Sequence, residues 1–228
     1  MSRTLNVVRM QLVNRQTFIW VPLIILGGAL IVSLMIWSML PPGANKYSGG
    51  SQGPLWYFVA VGVMSFAYTF PFSQAMSVTR REYFLGTLLT AALTSGILAV
   101  IFVIGGAIEL ATDGWGMNGL FFYVPWVWEA GPAAAGLSYF VLAMLLFVLG
   151  MWCAILYKRF GTVVLVTILV GLGVLLVGVM WIIGRFNAWG AVGQWIAGNG
   201  ALGLTLWATA VAAVLAVISY LTLRRTSP

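Results

Sequence analysis

Six stretches of this chain run for 25 to 38 residues without a charged side chain. They lie between Arg15 and Lys46, Lys46 and Arg80, Glu82 and Glu109, Glu129 and Lys158, Arg159 and Arg185, and Arg185 and Arg224. Each exceeds the roughly 20 apolar residues that a helix needs to cross the hydrocarbon core of a bilayer. Only 7% of the 228 residues are charged, and none is His. About a quarter would be charged in a soluble domain. The balance speaks against a soluble enzyme, a nucleic-acid binder or a disordered tail, despite a net charge of +7. The stretches are continuously apolar instead of alternating, which favours helices over a barrel. The expectation is an all-α integral membrane protein with six transmembrane helices. Approximate limits are 18–40, 55–77, 85–110, 133–156, 162–184 and 201–222, within a single transmembrane domain over 1–228.

Orientation follows from the basic residues. With the N-terminus in the cytoplasm, Arg3, Arg9, Arg15, Arg80, Arg81, Lys158, Arg159, Arg224 and Arg225 fall inside, while Lys46 and Arg185 fall outside. This is the positive-inside pattern, so both termini are expected to be cytoplasmic, with the basic loops facing anionic lipid. Tryptophans 37, 56, 115, 126, 128, 181, 189 and 195 gather at the outer boundary as an interfacial belt would. The first apolar stretch is too long for the core of a signal peptide and reads as an uncleaved span. The single cysteine, Cys153, has no intrachain partner and reads as a small buried residue of span four.

Residues 2–16 are too polar to span. Leu5, Val8 and Leu12 recur at helical spacing with Arg3, Arg9 and Arg15 beside them. This fits a short helix lying in the inner interface, or a solvated helical lead-in. The first outer loop is rich in Gly, Pro and Ser and should be irregular. The second, 111–132, is aromatic and should lie in the outer interface. Residues 186–200 are too polar to span and too apolar for a free loop; a re-entrant turn and a surface loop anchored by Trp189 and Trp195 both fit. Pro71 should kink span two near its cytoplasmic end. Gly171, Gly173 and Gly178 of span five suit close helix packing or a moving interface.

Catalytic machinery is missing from the pattern. There is no Walker loop, no cluster with metal-ligand spacing and no Ser-His or Cys-His pairing, so neither an enzyme nor a cofactor of its own is expected. No span carries a charge near its middle, which argues against a proton pathway. Glu109 and Asp113 are four residues apart and share a helical face if span three extends that far. Together with Glu129 they read either as ordinary interfacial acids or as an outer vestibule.

The most informative segment is Met76-Ser77-Val78-Thr79-Arg80-Arg81-Glu82-Tyr83-Phe84-Leu85-Gly86-Thr87. Thr79 and Glu82 have capping-box spacing, so a helix should begin there at the cytoplasmic face. Arg80 and Arg81 then sit beside the positive end of a helix dipole. That position calls for neutralisation by Glu82, lipid phosphate or a partner's carboxylates. The same residues also make sense as an orienting Arg pair followed by a cap.

This segment resembles the "G-x-[ST]-R-R-x-[FY]" loop of bacterial ATP-binding-cassette (ABC) type-2 exporter permeases, with Met76-Ser77 where that family often has Leu-Gly. The resemblance covers the whole chain in topology and about a dozen residues in motif. It implies that Thr79, Arg80, Arg81, Glu82, Tyr83 and Phe84 form a coupling element docking into a separate ATPase subunit. It also implies that the N-terminal helix is a connecting helix and that 186–200 is a re-entrant outer segment. ATP and Mg would belong to the ATPase, two copies of which would work with two permeases, as a homodimer or heterodimer, in a bacterial plasma membrane. Walls of Trp, Phe, Met and Leu would suit a hydrophobic or amphipathic cargo such as a drug, lipid or peptide. From a different class, an ATPase-independent carrier, sensor or immunity protein also accommodates the outer acids.

Overall fold

The computed structural model describes residues 3–41 and 44–224. Ser2 of the expected N-terminal helix, residues 42 and 43 of the Gly- and Pro-rich loop, and Arg225 lie outside the described residues. The helices are α1 (Arg3–Leu12), α2 (Val21–Ser38), α3 (Gln52–Ala75), α4 (Arg80–Ala111), α5 (Pro125–Trp128), α6 (Pro132–Arg185) and α7 (Trp189–Leu223). A wide π-turn, Gln16–Trp20, leads into α2, and a second, Gly114–Asn118, follows α4. Two short strands, β1 (Lys46–Tyr47) and β2 (Gly119–Leu120), pair in parallel.

Five helices among the described residues are long and apolar enough to cross a membrane: Gln16–Ser38, Gln52–Ala75, Arg80–Ala111, Pro132–Arg185 and Trp189–Leu223. The expected spans 133–156 and 162–184 fall on one helix of 54 residues. A straight helix of that length would measure about 80 Å, against a hydrocarbon core of about 30 Å. It does not run straight. Gly161 adopts φ 81°, ψ 179°, outside helical geometry, and divides α6 just after Lys158-Arg159. Positive φ at low cost is the property of glycine that permits this break. A second break at Gly200 (φ 60°, ψ −176°) divides α7.

The Gly200 break folds the chain back on itself. Trp195 and Trp207 have ring centroids 6.2 Å apart, whereas twelve residues of straight helix would separate them by about 18 Å. Residues 186–200, expected as either a re-entrant turn or a surface loop, are therefore largely the short arm of a helical hairpin. α3 continues through Pro71 to Ala75.

The core lies between α3, α4 and the first half of α6. Helices α3 and α6 approach until their backbones touch. A methyl group on Gly62 would strike the carbonyl of Phe147, and one on Gly150 would strike the carbonyl of Val59. In a bilayer, where no hydrophobic force acts between helices, close van der Waals packing of this kind is what would hold them together. Phe58, Phe66, Phe70, Phe102, Phe147 and Met151 fill the space around this crossing and are all buried.

Helix α1 lies against α4. Val7, Val8 and Gln11 are its buried residues, while Leu5 is 47% exposed. The face expected from Leu5, Val8 and Leu12 is thus displaced toward Val7 and Gln11. The reason sits across the contact: Gly86 of α4 leaves a hollow in which a side chain would come within 2.6 Å of Val7 Cβ. Arg3 and Arg9 remain on the exposed side.

Candidate functional site

The segment Thr79–Phe84 begins α4 with no separate helix before it. Thr79 is extended (φ −68°, ψ 150°), and its side chain accepts from the Glu82 amide while Glu82 reaches back to the Thr79 amide. The distances are 3.3 and 3.0 Å, and the Thr79 hydroxyl also donates to Glu82 Oε2 at 2.7 Å. Glu82 precedes the apolar run and is half-buried. Its bonds from Thr79 favour the ionised carboxylate and hold its pKa below the usual range. The capping box expected from the spacing is present in full.

The six residues divide by direction. Thr79 and Arg81 are exposed, and Arg80 and Glu82 are half-buried. Tyr83 and Phe84 turn the other way and are buried. The Tyr83 hydroxyl donates to the Ser65 carbonyl at 2.7 Å and lies 3.0 Å from Thr69 Oγ1. Phe84 packs on Tyr220 at 5.3 Å between ring centroids. Any docking surface on this turn therefore consists of Thr79 to Glu82, with Tyr83 and Phe84 as its anchor in the core.

A polar cluster ties that anchor to α1. Gln11 Nε2 donates to Thr87 Oγ1 at 2.8 Å and to Thr69 Oγ1 at 3.2 Å, and Thr69 meets Tyr83. Helices α1, α3 and α4 are thereby locked together within about two turns of Arg80 and Arg81.

At the opposite end of α4 the three acids part company. Glu109 is fully buried. Its Oε1 accepts from Trp115 Nε1 at 2.9 Å and the Phe121 amide at 2.7 Å. Its Oε2 accepts from the amides of Phe122 (2.9 Å) and Tyr123 (2.7 Å). Four donors on one carboxylate fold the aromatic loop into a cap over the bundle. Phe121, Phe122 and Trp128 are buried by it instead of lying along a membrane surface. Phe122 sits so close over Gly105 that a side chain there would come within 2.7 Å of its ring. Asp113 is exposed and, with Glu109 and Asn45, lines a small cleft of about 190 Å³. Glu129 is exposed and lines no part of that cleft.

The first outer loop joins this cap. Ser48 N donates to the Leu120 carbonyl at 3.0 Å, extending the β1–β2 pairing. Lys46 is buried and its Nζ donates to the Trp37 carbonyl at 2.8 Å. The loop's Gly and Pro content gave no hint of this pairing.

No protein-family model, curated protein or solved structure matches this chain. Geometry must carry the functional reading.

Two further clefts open near the basic end. One, about 380 Å³ and almost wholly apolar, lies between α3 and both sides of the Gly161 break, with Phe66, Phe70, Pro71, Cys153, Tyr157 and Leu165 in its wall. The other, about 510 Å³, lies between α6 and the end of α7 and is lined by Arg159, Ile218, Leu221, Thr222 and Arg224. The pairs Lys158-Arg159 and Arg224-Arg225 entered the sequence reading only as markers of orientation. Nothing in their spacing showed that Arg159 and Arg224 share a cleft.

Proposed function

We propose that this chain is the membrane-spanning permease subunit of an ABC transporter of the exporter type, driven by a separate ATPase that binds ATP and Mg. In this reading α6 contributes two spans divided at Gly161, giving six spans with both ends in the cytoplasm of a bacterial plasma membrane. Two such permeases and two ATPases make the working unit. The observation that carries the reading is the capped, cation-bearing first turn of α4, exposed at its tip and braced by α1 and Tyr83 behind.

The continuity of α4 supports a mechanism. It runs unbroken for 32 residues from Arg80 to Ala111, about 48 Å at 1.5 Å per residue. A displacement imposed at Arg81 by closing ATPases would be transmitted along that rod to Glu109 and the outer cap. For ATP to shift the permease between two states, the ATPase must bind those states with different affinity. A hinged first turn would absorb the push, whereas a capped one passes it on. The apolar cleft between α3 and α6 is compatible with a hydrophobic or amphipathic cargo.

The reading as an ATPase-independent carrier has less support, since Glu109, its strongest acid, is occupied by four donors. The test is co-purification with the ATPase followed by ATP-driven transport in vesicles. Arg80→Glu/Arg81→Glu is expected to lower complex recovery and transport at least tenfold, with most of the loss reproduced by Arg81→Glu alone. Unchanged complex and transport in the double variant would refute the docking assignment.

A further inference from the structure

Arg80, Arg159 and Arg224 come from three different helix ends and converge. Arg80 Nη1 donates to the Arg224 carbonyl at 2.6 Å, and Arg159 Nη1 approaches the Thr222 carbonyl at 3.4 Å. Arg159 and Arg224 then line one cleft of about 510 Å³ whose remaining wall is Ile218, Leu221 and Thr222. Two guanidiniums facing one space repel each other unless an anion lies between them. Among the described residues no carboxylate is bonded to either of them. Of the chain's four acids, Glu109 is bonded to the cap and Asp113 follows it at the far end of α4. Glu129 lies just beyond α5 in the loop leading into α6. Glu82 is engaged by the Thr79 cap and faces Arg3.

The wall adds a second chemical requirement. Leu221 is 52% exposed and Ile218 43% exposed, so an occupant needs an apolar portion as well as a negative one. Arg159 stacks 4.6 Å over the Phe160 ring, and Arg224 lies 5.9 Å from the Tyr220 ring centre. These contacts hold both side chains at the cleft while leaving guanidinium N–H groups to meet an acceptor. Arginine suits this role because its planar fork matches phosphate oxygens in pairs.

We infer that Arg159 and Arg224, the latter held by Arg80 through its carbonyl, bind the phosphate of an anionic phospholipid whose acyl chains run along Ile218 and Leu221. Basic pockets between helices on the cytoplasmic side are places where such headgroups are held. The inference rests on the membrane reading of the fold and is independent of any ATPase partner. It also separates the two neighbouring arginines: Arg80 is tied to the Arg224 carbonyl beside the cleft, and Arg81 is exposed.

The experiment is native mass spectrometry of the full chain in detergent, titrated with phosphatidylglycerol, phosphatidylcholine or inorganic phosphate. Phosphatidylglycerol is expected to bind tighter than phosphatidylcholine. At roughly fivefold per surface cation, Arg159→Gln or Arg224→Gln should each weaken it about fivefold and the pair about 30-fold. Arg159→Lys/Arg224→Lys keeps the charge and should retain most of the preference, which guards against a folding defect in the Gln variants. Arg81→Glu should leave lipid binding unchanged even where it abolishes ATPase docking. Equal binding of both lipids, or no loss in the Gln pair, overturns the proposal. So does displacement of phosphatidylglycerol by millimolar inorganic phosphate, which would make this a site for the free anion.

Discussion

The two sides of the Gly161 break in α6 are alike in sequence and unlike in surroundings. The first, from Pro132 to Phe160, buries Ala135, Ala143, Phe147, Met151 and Ile155 against α3 and α4. On the second, up to Arg185, no residue is buried, and Val163, Val166, Val170, Val174 and Val177 are all more than half exposed. Hydropathy cannot tell them apart, because a lipid tail and a neighbouring helix are equally apolar solvents for valine. What differs is where glycine meets another backbone. A methyl group on Gly150 would strike the Val59 carbonyl, while one on Gly171, Gly173 or Gly178 would meet nothing within 4 Å.

That contrast can be broken most directly at the glycines. Gly150→Leu would drive a side chain into the α3 backbone, which cannot move aside as a side chain could. A loss on the order of 3 kcal/mol or more is expected, seen as a lower melting temperature in detergent. Gly173→Leu should stay within about 0.5 kcal/mol of the parent. Equal losses at both positions would show that the second side of α6 is as tightly packed as the first.

A smaller effect is expected at the cap. Glu109→Ala leaves the amides of Phe121, Phe122 and Tyr123 without their acceptor and should cost about 2–3 kcal/mol. Trp115 loses its bond to Glu109 as well, so its fluorescence should shift toward that of a solvated indole. An unchanged melt and spectrum would mean that the carboxylate does not hold the cap.

The smallest difference sharpens the comparison between the helix starts and the helix surface. Thr79→Ala removes the cap of α4 and should cost about 1 kcal/mol. Thr167→Ala removes only a hydroxyl bonded to its own helix at the Val163 carbonyl, 2.8 Å away and exposed. It should change stability by less than about 0.5 kcal/mol. Thermal melts of the two variants side by side decide the matter.

Much of this architecture was legible in the chain, for reasons that also mark where reading stops. Uncharged gaps placed the long helices to within a few residues, since any charge inside one is costly in lipid. Lys158-Arg159 announced the division of α6, and Thr79-x-x-Glu82 announced the start of α4, because capping is a local interaction three residues wide. Direction was another matter. Tyr83 and Phe84 carry no sign of which way they turn, as the polar groups receiving Tyr83 belong to α3. The α1 face was misplaced because Gly86, its hollow, lies on α4. Glu109 passed for an interfacial acid because its acceptor role depends on amides at 121–123, and backbone amides are the same in every sequence. Each miss involves a partner contributed by another segment.

The parallel pairing of Lys46–Tyr47 with Gly119–Leu120 has a consequence for the order in which the molecule is put together. The two strands are separated in the chain by α3 and α4, so the first outer loop is made long before its mate exists. Until residue 121 has been made, Glu109 has none of its three amide ligands. A nascent chain ending just after α4 would therefore hold a carboxylate without its ligands and an unmatched strand. Closing the cap is therefore a late step in the making of the chain: the two strands can pair only once both α3 and α4 have been made.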